Sequence, residues 1–186
     1  MITVQGKGRV DGLDKASGKC VYTDDVKLPN MAFAKVLRSP YPHAKIVSIN
    51  TSEAEQVDGV IRVVTPQDVA SYGLFGRFVK DIPVLANGVA RFIGDRVAAV
   101  VAETEEAAEE ALALIEVEYE PLPAVTDVRE ALKEGAPAVH EAAWSYKNAV
   151  VKPEDPPNLQ SYNRWGNAEL SAVEEALAKS KYTFEG

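Results

Sequence analysis

Few residues in this sequence have the types and spacing that catalysis requires. His43 and His140 are the only histidines, and Cys20 is the only cysteine and has no adjacent base. No H-x-x-x-H, C-x-x-C or G-x-S-x-G pattern occurs, so the sequence indicates neither a zinc site nor a nucleophilic serine. A single cysteine also excludes a disulfide framework. We therefore predict no catalytic, cofactor-binding or metal-binding residue in this chain.

His43 ends a proline-rich loop, Ser39-Pro40-Tyr41-Pro42-His43. Two prolines restrict the backbone to extended or turn geometry, so the loop presents its side chains from a stiff support. The histidine could titrate near neutrality, but no second histidine lies near it in sequence, and we interpret it as a structural group. An alternative is a small enzyme that pairs His43 with Asp24 or Asp25 within about 3 Å or through one water.

Other candidate groups have simpler explanations. Asp95 beside Arg96 resembles an acid with its partner, but at a strand connection we interpret the pair as turn chemistry. The spacing from Gly6 to Gly12 is one residue too long for a dinucleotide fingerprint. Between Gly12 and the Gly18-Lys19 pair lie five residues where a phosphate loop has four, so that match also fails. We predict an extended arm with turns over residues 1–16.

The composition is that of an ordinary soluble globular protein, with 46% hydrophobic and 26% charged residues. The 186 residues suffice for one domain with a sizeable core and a fragment of a second. A formal charge of −8 argues against nucleic acid as a partner. The short apolar runs and the lack of a signal peptide predict no membrane contact and a cytoplasmic location.

Much of the acidity lies between Glu103 and Glu120, where eight glutamates occur without one lysine or arginine. We interpret them as the solvated faces of a helix and a strand. The alternative is an acidic docking surface, which would make the chain a stand-alone protein-binding module with no catalysis.

Three periodicities follow one another between Phe92 and Pro123. The apolar run Val97 to Ala102 predicts a strand buried on both faces and central in a sheet. Thr104 then predicts the N-cap of a helix whose alanines face the sheet. From Glu116 to Glu120 a two-residue alternation predicts a second strand. If both strands lie in one sheet, they are parallel and joined by a right-handed crossover.

The remaining pattern consists of short elements. Strands are predicted at 21–26, 31–38, 44–49, 60–64, 89–93 and 181–186. Helical segments are predicted at 52–57, after Thr65-Pro66, at 128–133 with Asp127 as cap, and from Ser171 to about Lys179. Many short strands with a few helices between them predict an α+β fold.

The order of several short motifs resembles a known family. The matching motifs are Arg9-Val10-Asp11, Asp14-Lys15, Gly18, Tyr22-Thr23-Asp24-Asp25, Leu28-Pro29-Asn30-Met31, Arg38-Ser39-Pro40, His43-Ala44-Lys45-Ile46, Asp58-Gly59-Val60, Thr65-Pro66-Gln67-Asp68-Val69, Ile93-Gly94-Asp95, Val97 to Thr104 and Val117 to Pro123. In this order they resemble the α/β hammerhead domain that opens the large subunit of molybdenum hydroxylases. That group contains xanthine dehydrogenase, aldehyde oxidase, carbon monoxide dehydrogenase and 4-hydroxybenzoyl-CoA reductase.

The resemblance implies a mixed sheet of short strands with a few packed helices. It also implies a domain layout: an extended arm at 1–16, a hammerhead domain at 17–141, a linker at 142–167 and the start of a molybdopterin-binding domain at 168–186. In such enzymes the molybdopterin and the catalytic glutamate are held by later domains, so no catalytic residue is transferred to this chain.

The function implied is that of a structural domain in a molybdenum-dependent oxidoreductase that hydroxylates an aldehyde or aromatic heterocycle, or in a reductive relative. Its partners would be a molybdopterin-binding domain or subunit and the domains or subunits that carry [2Fe-2S] and FAD. The isolated chain is expected to be inactive. Arg38, Pro40 and His43, in the proline-rich loop, are candidates for an inter-domain contact.

Overall fold

The computed structural model describes residues 8–163, 165–166 and 169–184, which divide into two compact units. The first unit contains the chain up to Ser71 together with Leu85–Glu120, and the second contains Tyr72–Val84 and the chain from Pro121 onward. The strands are β1 (Phe33–Arg38), β2 (Ala44–Asn50), β3 (Val60–Val64), β4 (Leu74–Phe75), β5 (Ile82–Pro83), β6 (Val89–Ala90), β7 (Arg96–Ala102) and β8 (Glu116–Pro121). The α-helices are α1 (Gly12–Ala16), α2 (Pro66–Val69), α3 (Glu105–Ala113), α4 (Val128–Ala131) and α5 (Leu170–Ala178).

Strand β7 is the centre of the first unit. It pairs antiparallel with β1 on one side and β3 on the other, and Val100 lies opposite both Lys35 and Val63. Val97 and Val100 are fully buried. The prediction of a central, buried strand is confirmed, because a run of small and β-branched apolar residues leaves neither face suited to water.

Helix α3 packs on this sheet through its alanines. The Thr104 hydroxyl accepts a hydrogen bond from the Ala107 N–H at 3.1 Å, so the predicted N-cap is confirmed. Ala108 and Ala111 are fully buried in the same core cluster as Val100. Their small side chains bring the helix backbone close to β7, as the sequence pattern indicates.

Strand β8 lies in a different sheet from β7. Its sheet has the order β6-β2-β8, whereas the neighbours of β7 are β1 and β3. The condition for a parallel crossover is therefore not met, because β7 and β8 lie in different sheets. The two-residue alternation in β8 is confirmed, with Val117 and Tyr119 half-buried between exposed glutamates.

Several local predictions are corrected. Residues 21–26 form no strand, since Thr23–Asp25 is a 3-10 turn in which the Asp25 carboxylate accepts the Tyr22 N–H at 2.9 Å. The strand predicted at 89–93 ends at Ala90. Within the predicted arm, Gly12–Ala16 forms α1, and residues 1–7 lie outside the described residues.

The predicted helical segments after Ser52 and Thr65 are confirmed. Ala54–Gln56 is a 3-10 turn, and α2 begins at Pro66 after Thr65, whose N–H is accepted by the Asp68 carboxylate at 2.8 Å.

The second unit is built around a hairpin and a network of polar bridges. Strands β4 and β5 pair antiparallel, and the Lys80 N–H donates to the Lys147 carbonyl at 3.0 Å. The Asn158 amide donates to the Ala131 carbonyl at 3.1 Å and accepts the Val139 N–H at 2.9 Å. These bridges order a segment whose sequence has no sustained period. None of the helices in the described ranges is both long and apolar enough to cross a membrane.

Two helices in the second unit differ from prediction in their bounds. Asp127 accepts hydrogen bonds from the Arg129 and Glu130 N–H groups, which confirms the predicted cap, but α4 ends at Ala131. Helix α5 begins after Glu169 rather than after Ser171. Residues 181–184 form no strand, and residues 185–186 lie outside the described part of the chain.

Enlarging the alanine face of α3 should destabilise the first unit. We expect Ala111→Leu to lower the free energy of unfolding by about 1–3 kcal/mol, because the buried site has no room for three further carbon atoms. Ala113→Leu, at an exposed position of the same helix, should change it by less than about 0.5 kcal/mol. Urea unfolding followed by circular dichroism measures both, and equal effects would contradict the close packing.

Candidate functional site

The proline-rich loop between β1 and β2 exposes part of the predicted contact set. Arg38 and Pro40 are exposed, whereas His43 is 8% exposed and Ser39 is 2% exposed. The loop therefore offers Arg38, Pro40 and the partly exposed Tyr41 to a neighbour, while the His43 side chain belongs to the interior of the first unit.

The loop is fixed to the turn that precedes β7. The Ser39 N–H donates to the Asp95 carbonyl and the Gly94 N–H donates to the Ser39 carbonyl, each at 2.8 Å. Arg38 Nη1 donates to the Gly94 carbonyl at 2.9 Å. Gly94 has φ 93°, a conformation that glycine adopts without steric cost. Because these hydrogen bonds join loop and turn, the exposed groups are presented by a rigid support.

Asp95 has a structural role in this turn. Its carboxylate is buried and accepts the Arg91 N–H at 3.0 Å and the Arg96 N–H at 2.9 Å, one through each oxygen. The interpretation of this acid as turn chemistry is confirmed. The hydrogen bond from Arg91 also explains why β6, the strand before the turn, is short. The Arg91 N–H binds the Asp95 carboxylate and is therefore not available to pair with a neighbouring strand.

Tyr41, in the proline-rich loop, packs against Tyr119 of β8. The rings of Tyr41 and Tyr119 are 5.1 Å apart and tilted by 47°. Ser39 Oγ accepts the Tyr41 N–H at 3.1 Å and is also 3.1 Å from the Tyr41 carbonyl. Burial raises the pKa of Tyr119 above its ordinary value of 10.0; the Ser39 hydrogen bond opposes this rise, and the neighbouring Tyr41 and Asp95 add to it.

The enzyme alternative needed His43 beside Asp24 or Asp25. His43 is buried in the first unit, whereas both aspartates are exposed on the 3-10 turn, where Asp25 caps the backbone. This geometry gives the Asp25 carboxylate a local structural role. Cys20 is half-buried and makes no disulfide.

The other histidine forms a pair that sequence reasoning missed. His140 Nδ1 lies 2.8 Å from the Tyr146 hydroxyl, and the two rings meet edge to face at 5.4 Å. They line a cavity of about 220 Å³ in the second unit, together with Asp81 and Gln160, whose side chains are joined at 3.2 Å. The segment has no period, so no pattern in the sequence could have brought these residues together.

The acidic stretch is largely engaged within the first unit. Five of its eight glutamates contact a lysine or a neutral polar side chain. These contacts are Glu105–Lys35 at 2.5 Å, Glu109–Lys35 at 2.8 Å, Glu116–Asn50 at 3.2 Å, Glu118–Ser48 at 3.2 Å and Glu120–Lys45 at 3.7 Å. The two helix glutamates raise the pKa of Lys35, and Lys35 lowers the pKa of Glu105. The acidic side chains thus brace strands and helix to one another.

No group of three or more histidine, cysteine, aspartate or glutamate side chains able to hold a metal ion occurs in residues 8–163, 165–166 and 169–184.

Comparisons with known proteins agree on one family. The model for the aldehyde oxidase and xanthine dehydrogenase a/b hammerhead domain matches residues 17–123. A probable xanthine dehydrogenase subunit from Bacillus subtilis (strain 168) is 45% identical over 141 residues, which are 76% of this chain and 19% of that protein. The nicotinate dehydrogenase large molybdopterin subunit of Eubacterium barkeri is 38% identical over 73% of this chain and 32% of its own length.

A solved structure is similar to this chain over nearly its whole length. The CO dehydrogenase from Oligotropha carboxidovorans, at 32% identity, covers 95% of this chain and 22% of its own chain with a TM-score of 0.76. The chain therefore spans less than a third of the length of each of these relatives.

The Asp95 turn should be needed for stability. We expect Asp95→Ala to lower the free energy of unfolding by about 1–3 kcal/mol, because two partly buried N–H groups lose their buried acceptor. Asp58→Ala, at an exposed position, should cost less than about 0.5 kcal/mol. Denaturant unfolding compares the two variants, and a small effect for both would argue against the structural role of Asp95.

Tyr119 should make the protein sensitive to alkaline pH. Its pKa is raised in the folded state, so the stabilisation that it contributes below pH 10 is lost as pH rises through the folded pKa. We expect the thermal midpoint of the wild type to fall more steeply above about pH 10 than that of Tyr119→Phe. Superimposable pH profiles for the two proteins would contradict this prediction.

Proposed function

Because the chain belongs to the aldehyde oxidase and xanthine dehydrogenase a/b hammerhead family, we propose that it is a structural part of a molybdenum-dependent oxidoreductase. The reaction of the whole assembly is then hydroxylation or dehydrogenation of the aldehyde or xanthine type. The hammerhead match over residues 17–123 carries this proposal.

The contribution of this chain is mechanical. In the first unit, several ionisable side chains make contacts that stabilise the fold. Asp95 accepts hydrogen bonds from two backbone N–H groups, and Lys35 forms ion pairs with Glu105 and Glu109. A rigid body of this kind positions a neighbour rather than a substrate. The neighbours are a molybdopterin-binding domain or subunit and the domains or subunits that carry [2Fe-2S] and FAD.

We propose the domain layout that the resemblance implies. The hammerhead domain then spans 17–141, with residues 1–16 before it as an arm, 142–167 after it as a linker and 168–186 as the start of the molybdopterin-binding domain. We propose a cytoplasmic location for the assembly.

The loop after β1 is one contact of the first unit with a neighbour. Arg38 and Pro40 are exposed there, and the Gly94–Asp95 turn holds them in place. His43 supports this contact from the interior. A preformed loop loses little conformational entropy on association, which favours binding.

The proposal is tested with the purified chain and with the molybdopterin-binding portion encoded with it, whether on the same reading frame or on a neighbouring gene. The chain alone should contain no stoichiometric molybdenum by metal analysis and should oxidise neither aldehydes nor purines. Co-expressed with the affinity-tagged molybdopterin portion, it should be retained in a one-to-one complex.

Two results would overturn the proposal. Stoichiometric metal or substrate turnover by the purified chain would place the reactive groups here. A stable chain that does not associate with the molybdopterin portion would favour the stand-alone binding module instead.

A further inference from the structure

The turn that leads into β6 in the first unit contains the dipeptide Asn87-Gly88. Asn87 is the only asparagine of the sequence that glycine follows. In this arrangement the backbone nitrogen of the glycine can attack the side-chain carbonyl carbon of the asparagine, because the product is a five-membered ring. Glycine has no Cβ to obstruct the approach. The dipeptide therefore has the composition of a self-modifying site.

The fold leaves both reacting groups accessible. Asn87 and Gly88 are exposed, and a Cβ built on Gly88 would meet no atom within 4 Å. Gly88 has φ 76°, a conformation in which glycine is not strained. Among the residues that the structure describes, neither the Asn87 side-chain amide nor the Gly88 N–H takes part in a hydrogen bond. The nucleophile and its target are therefore neither covered nor held by a partner.

Water reaches the dipeptide through a cavity in the same unit. The cavity has a volume of about 270 Å³, and its lining includes Asn87 and Gly88 together with the polar residues Ser48, Thr65 and Gln67. A polar cavity of this size holds several water molecules, because the side chains offer them hydrogen-bond partners. The second reactant that ring opening requires is therefore available beside the turn.

We propose that Asn87 is a site of spontaneous deamidation in which the Gly88 backbone nitrogen is the nucleophile. This nitrogen loses its proton and bonds to the side-chain carbonyl carbon of Asn87. The bond from that carbon to Nδ2 breaks, and ammonia leaves with the proton, so that a cyclic imide remains. Water then opens the imide at either carbonyl and gives aspartate or isoaspartate. The net reaction consumes a water molecule and releases ammonia, and the inference does not depend on the proposed function.

The isoaspartyl product loosens the connection between two sheets. Before the turn, the Ala86 N–H donates to the Arg96 carbonyl of β7 at 2.6 Å; after it, the Gly88 carbonyl accepts the Ile46 N–H of β2 at 2.8 Å. Ala86 is 1% exposed, so the chain is fixed on this side of the turn. Isoaspartate adds a carbon to the backbone and lengthens it by about 1.5 Å. Both hydrogen bonds cannot keep their geometry across the longer backbone.

Mass spectrometry of the purified, folded chain tests the site. After incubation at neutral pH, trypsin releases residues 81–91 with Asn87 and residues 46–62 with Asn50, which is also exposed but precedes Thr51. Deamidation adds about 1 Da. The gain in the first peptide should be at least about tenfold faster than in the second, because threonine hinders the attack and glycine does not. Electron-transfer fragmentation should identify isoaspartate, and Asn87→Gln, whose side chain would form a larger ring, should abolish the gain.

A matched variant separates the inserted carbon from the added charge. Asn87→Asp carries the new carboxylate on a backbone of normal length. Wild-type protein aged until most of Asn87 is isoaspartate should have a thermal midpoint about 2–4 °C below that of Asn87→Asp, as expected for the loss of one hydrogen bond. Fresh wild type and Asn87→Asp should agree within about 1 °C, because the side chain is exposed.

Three results would overturn this inference. Equal rates at Asn87 and Asn50 would remove the special role of Gly88. A chain that deamidates at Asn87 in urea but not in its folded form would show that the fold protects the site. Aged wild type that melts together with Asn87→Asp would reject the loosened connection between the sheets.

Discussion

Burial of β7 from two sides is the constraint on which the first unit depends. Ala98, Val100 and Ala102 face the alanines of α3 in one cluster, while Val97 packs with the buried residues of β2 and β6 in another. Full burial of a valine contributes roughly 1.5–3 kcal/mol, and each cluster adds several partly buried neighbours. The apolar part of the strand, Val97 to Ala102, has no position for a reactive group, so polar side chains are confined to Arg96 at its start and to the turns at its ends.

Those turns show how the polar residues are used. Before β7, the Asp95 carboxylate and the Gly94 backbone connect the strand to the loop after β1. After β7, the Glu103 N–H donates to the Gly59 carbonyl at 2.8 Å, and Thr104 caps α3. At both ends a group that has catalytic roles elsewhere satisfies a backbone hydrogen bond. The local geometry thus gives these polar groups structural roles in this part of the molecule.

The sequence patterns correctly predicted those elements that are determined by interactions between residues close together in the chain. The central strand, the Thr104 cap, the Pro66 helix start and the alternation in β8 depend on residues within a few positions of one another. The sheet to which β8 belongs was not predictable, because it depends on pairing with β2, which lies far from β8 in the sequence. The strand predicted at 89–93 was too long since a carboxylate four residues beyond Arg91 captures its amide. His140 and Tyr146 meet in a segment without a period, and long-range bridges such as Asn158–Ala131 determine its course.

Both units match surface charges internally and leave apolar side chains in solvent. The Lys35 bridge to Glu105 and Glu109 in the first unit is an example of such matching, and exposed ion pairs of this kind contribute little to recruiting a partner. Large apolar side chains are exposed in each unit, among them Leu28 and Ile93 in the first and Phe78 and Leu170 in the second. Apolar surface is the main favourable term in association, whereas charge that is already paired must be desolvated at a cost. The physical drive to bind a neighbour therefore lies in exposed apolar surface, although acidity is the more visible feature of the sequence.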